Sequence, residues 1–268
     1  MEIRSEPVAM LECRAMGVGV GRGPRLATVD AQLLAGRLTA ILGPNGAGKS
    51  TLMSMLVGQH VPQCGEVWQD GRPLRRHAPE ALAMRRAVMP QDCAVAFDFS
   101  ALEVVELGRY PHRARPGCNE AGIAREAMAL TGVAHLASRS INTLSGGERA
   151  RTHLARALAQ IWEPPADGSA RWLLLDEPMA ALDLAHQHQS MGLLRRWAVE
   201  QGVGVVAVMH DLNLALRYAD DVLVLGAGSV SWGPALQVLR PELVQQVWGM
   251  RCDVAYSSDG ARQFLFAG

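Results

Sequence analysis

The sequence predicts an α/β fold, a largely parallel β-sheet covered by helices. Three observations carry that reading. Short, mostly apolar runs recur along the chain: LTAIL at 38–42, RWLLLD at 171–176 and VGVVAVMHD at 203–211. Strands apolar on both faces belong to sheets buried on both faces. Stretches of helical pattern alternate with them, as in parallel sheets joined by crossover helices. A glycine-rich segment, GPNGAGKST at 43–51, lies between the first of these runs and a helical one.

The elements follow in order. LTAIL is a strand that runs into the glycine loop, and KSTLMSMLVG (49–58) is the helix after it, stopped by Gly58; glycine is the commonest residue just past a helix end. AVMPQ (87–91) closes a short strand at Gln91. From about Val104 to Gln160 the pattern is helical, interrupted by GRYPHRARPGCNEAG (108–122), whose Pro, Gly and Arg content predicts a loop. EPPADGSA (163–170) is a second polar loop. RWLLLD and VGVVAVMHD are buried strands, and DVLVLGAGSV (221–230) reads as a hairpin turning on glycine. The chain thus reads as a single domain over residues 1–268, with a helical subdomain at about 95–160 inserted in the α/β core.

Composition narrows the function. Lys plus Arg and Asp plus Glu both number 26, so the formal net charge is zero and nothing electrostatic favours nucleic acid as a partner. No run approaches the roughly 20 apolar residues of a membrane-spanning helix. The opening MEIRSEPVAM carries acids where a signal peptide has a basic end, so a cytoplasmic placement is expected. The five cysteines, Cys13, Cys64, Cys93, Cys118 and Cys252, are odd in number and form no CxxC, which argues against a disulfide framework or zinc site.

Four short segments carry chemistry. GPNGAGKST, that is Gly43, Pro44, Asn45, Gly46, Ala47, Gly48, Lys49, Ser50 and Thr51, fits GxxxxGK[ST] in the strand–loop–helix setting that motif needs. Its backbone N–H groups would cradle phosphates, Lys49 would reach the outer ones and the Ser50 hydroxyl would ligate Mg²⁺. WLLLDEP (172–178) puts Asp176 and Glu177 at the end of a buried strand, where an unpaired charge is costly. Asp176 is placed to hold Mg²⁺ through water and Glu177 to polarise an attacking water; standing alone, the pair reads equally as the cap of a helix starting at Pro178. Gln91 and His210 also stand at strand ends. Gln91 could contact Mg²⁺ or the water and His210 a γ-phosphate, or each could be an ordinary polar residue at a loop. In LSGGE, Ser145 and Glu148 form a capping box, and Gly146 and Gly147 leave a helix N-terminus with exposed donors, an anion site by geometry.

Taken together, GPNGAGKST, Gln91, LSGGE, WLLLDEP, ALD at 181–183 and His210 occur in an order that resembles the nucleotide-binding subunit of ABC transporters, over about residues 10–255. The resemblance implies a P-loop NTPase domain with a RecA-like core, an N-terminal antiparallel β portion and a helical subdomain. It implies an ATP hydrolase with ATP and Mg²⁺ as cofactors, and a homodimer in which two ATPs are sandwiched head to tail. Ser145, Gly146 and Gly147 would then touch the partner's γ-phosphate. Glu177 is implied as general base, Gln91 as the sensor coupled to the helical insert, Asp183 as a dimer-interface residue and His210 as the switch, with Ser50, Gln91 and Asp176 around the metal. The implied partners are two transmembrane permease subunits and a periplasmic binding protein, at the cytoplasmic face of the bacterial inner membrane.

Within that family, FDFSALEVVELGRYPH (97–112) and HDLNLALRYADDVLVL (210–225) resemble importers of iron–siderophores, haem and cobalamin. The segment EPPADGSARWLLLDEPMAALDLAHQHQ and the tail LVQQVWGM are most similar to haem-import cassettes. The implied cargo is therefore haem, with an iron–siderophore or cobalamin importer as the alternative and a soluble, non-transport ABC ATPase behind both. Two positions depart from the family. No aromatic residue in RAMGVGVGRGPRL (14–26) offers an adenine stack, leaving Val18, Val20 or an arginine side chain; and Met179 stands where a small hydroxyl residue is usual. His186 and His188 in AHQHQ would point about 200° apart on a helix, so they predict a solvated face and not a shared ligand pair.

Overall fold

The structure is a computed structural model and describes residues 10–19, 23–91, 97–114, 116–117, 119–226 and 228–266. Val20, Cys93 and Cys118 lie outside those residues.

The strands are β1 (Met10–Val18), β2 (Ala27–Leu34), β3 (Leu38–Leu42), β4 (Glu66–Gln69), β5 (Arg72–Pro73), β6 (Arg86–Met89), β7 (Trp172–Leu175), β8 (Gly204–Val208), β9 (Asp221–Leu225), β10 (Val230–Pro234), β11 (Cys252–Tyr256) and β12 (Arg262–Phe266). The α-helices are α1 (Lys49–Val57), α2 (Pro79–Ala83), α3 (Ala101–Glu106), α4 (Glu120–Leu130), α5 (Gly146–Gln160), α6 (Leu184–Gln201), α7 (Leu212–Tyr218), α8 (Ala235–Val238) and α9 (Pro241–Trp248).

Six strands form the central sheet in the order β10-β9-β3-β8-β7-β6. All neighbours are parallel except β10, which returns antiparallel on β9 as the glycine-turn hairpin predicts. A second sheet, β2-β1-β4-β5, is antiparallel throughout and is the N-terminal β portion. Between β6 and β7 the described chain is helices, 3-10 turns and loops, among them α3, α4 and α5.

The alternation of side chains along each parallel strand divides the core. On one face Ile41, Leu174, Val206 and Val208 join α1 and the antiparallel sheet through Leu52, Leu56, Leu11 and Val29. On the other face Leu42, Leu173, Leu175, Val205 and Ala207 meet the helical insert and α6 through Leu154, Leu158, Met191 and Leu194. Both faces are covered, which is why these strands read as nearly continuous apolar runs.

One expectation needs correction, and two further features bear on the reading. The segment 108–122 is not a loop throughout: Leu107–His112 is a 3-10 helix and α4 begins at Glu120. The alternative of a helix capped at Asp176–Glu177 and starting at Pro178 does not hold: the chain turns there and α6 starts at Leu184 with Asp183 as its N-cap. The chain also forms a C-terminal hairpin, β11–β12, in which DVAY and QFLF alternate with the period of a strand.

Candidate nucleotide site

The strand order positions the site. β3, β8, β7 and β6 are adjacent and parallel, so the segments that follow them leave the sheet at one edge. Those segments carry the glycine loop, His210, Asp176 with Glu177, and Gln91.

The loop conformation demands glycine at two points. Gly43 has φ +151°, and a Cβ there would lie 2.4 Å from the Leu225 carbonyl oxygen. Gly48 is the N-cap of α1 with φ +99°, and a Cβ there would press on Val18 and Leu26 at 3.1 and 3.0 Å. Val18 thus lies buried under the loop, and together with Leu26 forms an apolar shelf beside it. Lys49 Nζ donates to the Gly43 and Pro44 carbonyls at 2.9 and 3.1 Å, and the Ala47 N–H closes the turn onto the Pro44 carbonyl at 3.2 Å. Burial lowers the Lys49 pKa, while Glu177 and Asp176 oppose that by holding the ammonium charged. Asn45 and Gly46 are exposed at the loop tip, and Thr51 lies in the first turn of α1.

The Asp176 N–H donates to the Met89 carbonyl at 2.8 Å, so the residue continues the β7–β6 pairing by one step. Its carboxylate accepts from the Ser50 hydroxyl at 3.3 Å. Burial raises the Asp176 pKa; the Ser50 bond lowers it, the Glu177 charge raises it, and Lys49 and His210 lower it. Asp176, Ser50 and Lys49 thus bring oxygen donors and a cation together at the mouth of the loop.

Glu177 sits at φ +51°. A non-glycine residue in that left-handed region costs roughly 1–2 kcal/mol. The turn holds its carboxylate between two partners. Oε1 lies 2.7 Å from His210 Nε2, and Oε2 accepts from Gln91 Nε2 at 3.1 Å. A carboxylate held at both oxygens, next to a phosphate-type loop, can accept a proton from a water in line with a phosphoryl group.

Ser145 and Glu148 make the expected capping box: the Glu148 N–H donates to Ser145 Oγ at 3.3 Å and the Ser145 N–H to Glu148 Oε2 at 2.8 Å. The Ser145 N–H also holds the Glu148 carboxyl below the usual carboxylate range, with the Ser145 hydroxyl adding to it. Gly147 runs 3.2 Å (from an added Cβ) from the Ala181 carbonyl oxygen. Gly146 lines a cleft of about 290 Å³ shared with Gln91, Glu177, Arg149, His153 and Ala181. No hydrogen bond joins residues 145–147 to residues 43–51 among the described residues. Arg149 and His153 escaped sequence reasoning; their signal was their spacing from Gly146, three and seven residues on, which puts all three on one helix face.

Asp183 is exposed and caps α6, its Oδ1 accepting from the His186 N–H at 2.9 Å and lying 2.8 Å from His186 Nδ1. It stands apart from the Lys49–Glu177 group. His188 Nδ1 instead lies 2.9 Å from the Tyr218 hydroxyl, so the two histidines of AHQHQ serve different neighbours.

A phosphate-type loop, a carboxylate pair on the neighbouring strand end and a capped glycine-rich helix start define an ATP-binding cassette on a P-loop NTPase fold. The ABC transporter profile matches residues 26–180, and the chain belongs to that family. It is an ABC-type ATPase. Its relatives include the hemin import ATP-binding proteins HmuV of Myxococcus xanthus, 50% identical and covering 91% of both chains, and of Gloeobacter violaceus, 48% identical over 89% of this chain and 87% of the relative. Among solved structures, an inward-facing metal-chelate type ABC transporter matches with TM-score 0.80 and 27% identity, covering 98% of each chain. A dimeric bacterial ABC transporter cassette, MJ0796, matches with TM-score 0.71 and 27% identity, over 85% of this chain and 98% of that one. No helix among the described residues is long and apolar enough to cross a membrane.

Proposed function

We propose that this chain is the ATP-hydrolysing subunit of a haem importer. It works as a homodimer on the cytoplasmic face of the bacterial inner membrane, bound to two transmembrane permease subunits that a periplasmic binding protein supplies. The whole chain, residues 1–268, acts as one unit. The observation that supports the chemistry best is Glu177, held between His210 and Gln91 beside Lys49. The support for haem is the name carried by relatives 50 and 48% identical over most of the chain.

In this reading the residues 43–51 wrap the phosphates, with Lys49 leaving its carbonyl partners to meet the outer ones. Glu177 takes a proton from the attacking water; His210 and Gln91 keep its carboxylate aimed, and Gln91 reports the γ-phosphate to the helical insert. Ser145, Gly146 and Gly147 close over the nucleotide of the second copy, and Asp183 lies at the dimer contact. Mg²⁺ fits the oxygen donors gathered by Ser50 and Asp176, with Gln91 close by, and would neutralise phosphate charge there. Closure over two ATPs and reopening after hydrolysis would alternate the permease between its two faces.

The test is ATPase activity of the chain assembled with its permease in lipid, with the binding protein haem-loaded or empty. Stimulation by the haem-loaded form alone is expected. Stimulation by an iron–siderophore- or cobalamin-loaded binding protein instead would keep the importer and discard haem.

A further inference from the structure

β6 is the last strand of the central sheet, so among the described residues one of its edges has no strand beside it. The carbonyls of Arg85 and Met89 accept from Trp172 and Asp176 at 2.8 Å each and therefore face β7. Carbonyl direction alternates along a strand, so those of Arg86 and Val88 face the open edge. Both are taken there by side chains of α5. Gln160 Nε2 donates to Arg86 O at 2.8 Å and to Ala83 O at 2.9 Å, and an Arg156 guanidinium N–H donates to Val88 O at 3.1 Å. The match is metric: four helical residues rise about 6 Å and two strand residues about 6.6 Å, so donors at 156 and 160 meet alternate carbonyls.

The far end of α5 is fixed as well. The helix has no basic residue in its last turn. Its terminal carbonyls are met from outside: Arg109 donates to Ala159 O at 2.8 Å, His112 Nε2 to Gln160 O at 2.7 Å, and Arg171 to Ile161 O at 2.8 Å. The other end of the same helix, about 22 Å away over its 15 residues, presents Ser145, Gly146 and Gly147.

We infer that Arg156 and Gln160 are positioning residues which lock α5 to the edge of the catalytic sheet, so that β6, the strand leading into Gln91, sets the aim of the LSGGE tip. They occupy the open edge of β6 and make a lever with its fulcrum there. The inference rests on the proposed dimer, in which that tip meets the partner's nucleotide. A lever fixed at one end converts a small tilt there into a displacement of ångströms at the tip, and a misplacement of about 1 Å can cost on the order of a hundredfold in a reaction step.

The experiment uses the full chain carrying Glu177→Gln, with ATP-driven dimerisation followed by analytical ultracentrifugation and nucleotide affinity by a fluorescent ATP analogue. Into it go Gln160→Glu, which keeps the shape but has no N–H to donate, and the pair Arg156→Met and Arg156→Lys. Gln160→Glu and Arg156→Met are expected to raise the ATP concentration for half-dimerisation about tenfold or more, with analogue affinity unchanged. Arg156→Lys, which keeps a donor, should fall between Arg156→Met and the parent. Equal dimerisation midpoints in parent and variants would overturn the inference while leaving the dimer reading intact. A parent that stays monomeric at saturating ATP would sink the dimer reading and this inference with it. Parallel losses of analogue affinity would mean general damage to the core and would also overturn it. Should Gln160→Glu fail to fold, Gln160→Met, neutral and of similar length, decides by the same midpoints.

Discussion

Gly204 offers a test of how tightly the strand that carries the carboxylates is set. It opens β8 directly opposite Trp172 of β7. A Cβ there would lie 2.4 Å from both Cε3 and Cζ3 of the Trp172 ring, and 2.9 Å from Cδ2. Carbon atoms rest at about 3.5–4.0 Å, so the ring or the strand must give by more than about 1 Å. The ring has little room, since Trp172 is fully buried. Overpacking of this kind costs about 1–3 kcal/mol, and the upper half of that range applies where the neighbours are strands on both sides. At roughly 2–4 °C per kcal/mol for a domain of this size, Gly204→Ala should lower Tm by about 4–12 °C. Differential scanning calorimetry gives the value, and a double-mutant cycle gives the cause. Trp172→Ala alone opens a cavity and costs about 3–5 kcal/mol. In that background the Gly204 methyl has space, so the second step should cost nearly nothing and the coupling should reach about 2–3 kcal/mol. A Gly204→Ala chain that melts within about a degree of the parent, or the same penalty in both backgrounds, would refute the steric account.

Three further outcomes follow from the site and its supports. Glu177→Gln should reduce phosphate release in a single turnover by about 10²–10⁴-fold with nucleotide binding retained; a fall below threefold would remove Glu177 from the role of base. Asp176 has its pKa raised by burial, so the folded state holds that proton more tightly than the unfolded chain and the residue costs stability as pH rises out of the acid range. Asp176→Asn should therefore raise Tm at pH 7 by roughly 1–3 °C and lose that advantage toward pH 4, and a variant less stable at pH 7 would contradict the sign. Arg37 donates to both oxygens of buried Asp221 at 2.6 and 2.8 Å, tying the start of β3 to β9. Because Arg37 itself is partly exposed, Arg37→Ala should cost about 2–3 kcal/mol in urea denaturation, and a change under about 0.5 kcal/mol would show that water replaces the guanidinium.

Much of the site was legible because it is written in short-range terms. Glycines at 43 and 48 stand where the backbone needs φ above zero or a close approach, and the acids at 176 and 177 interrupt a run that is otherwise apolar. That Gln91, Asp176, Glu177 and His210 share one edge also follows from their places at strand ends, once the strands are parallel. What stayed hidden depends on partners far away in sequence. The left-handed turn at Glu177 has no glycine to announce it; His210 and Gln91 supply the reason for it from strand ends on either side. The start of α4 at Glu120 is masked by the Pro- and Gly-rich residues before it, and is fixed in space by the Arg109 guanidinium, which pairs with Glu120 at 2.5 Å and Glu163 at 2.8 Å. Arg156 and Gln160 look like ordinary polar positions on an amphipathic helix until the open edge of β6 is found beside them.

The placement of strain and support in this chain has a common logic. Glu177 holds an unfavourable backbone conformation, and the half-buried Asp176 and the buried Lys49 have pKa values moved toward their neutral forms. Each is destabilising in isolation, and each lies at the edge of the sheet where the strands end. The interactions that offset them lie deeper or at the opposite edge: two apolar cores on the two faces of the sheet, the Arg37–Asp221 pair at the start of β3, and the carbonyl caps on α5. A chain arranged this way can keep its reacting groups poised without loosening the sheet that aims them. Substitutions at the strand ends should then trade activity for stability, while substitutions at Gly204, Arg37 or Gln160 should cost both.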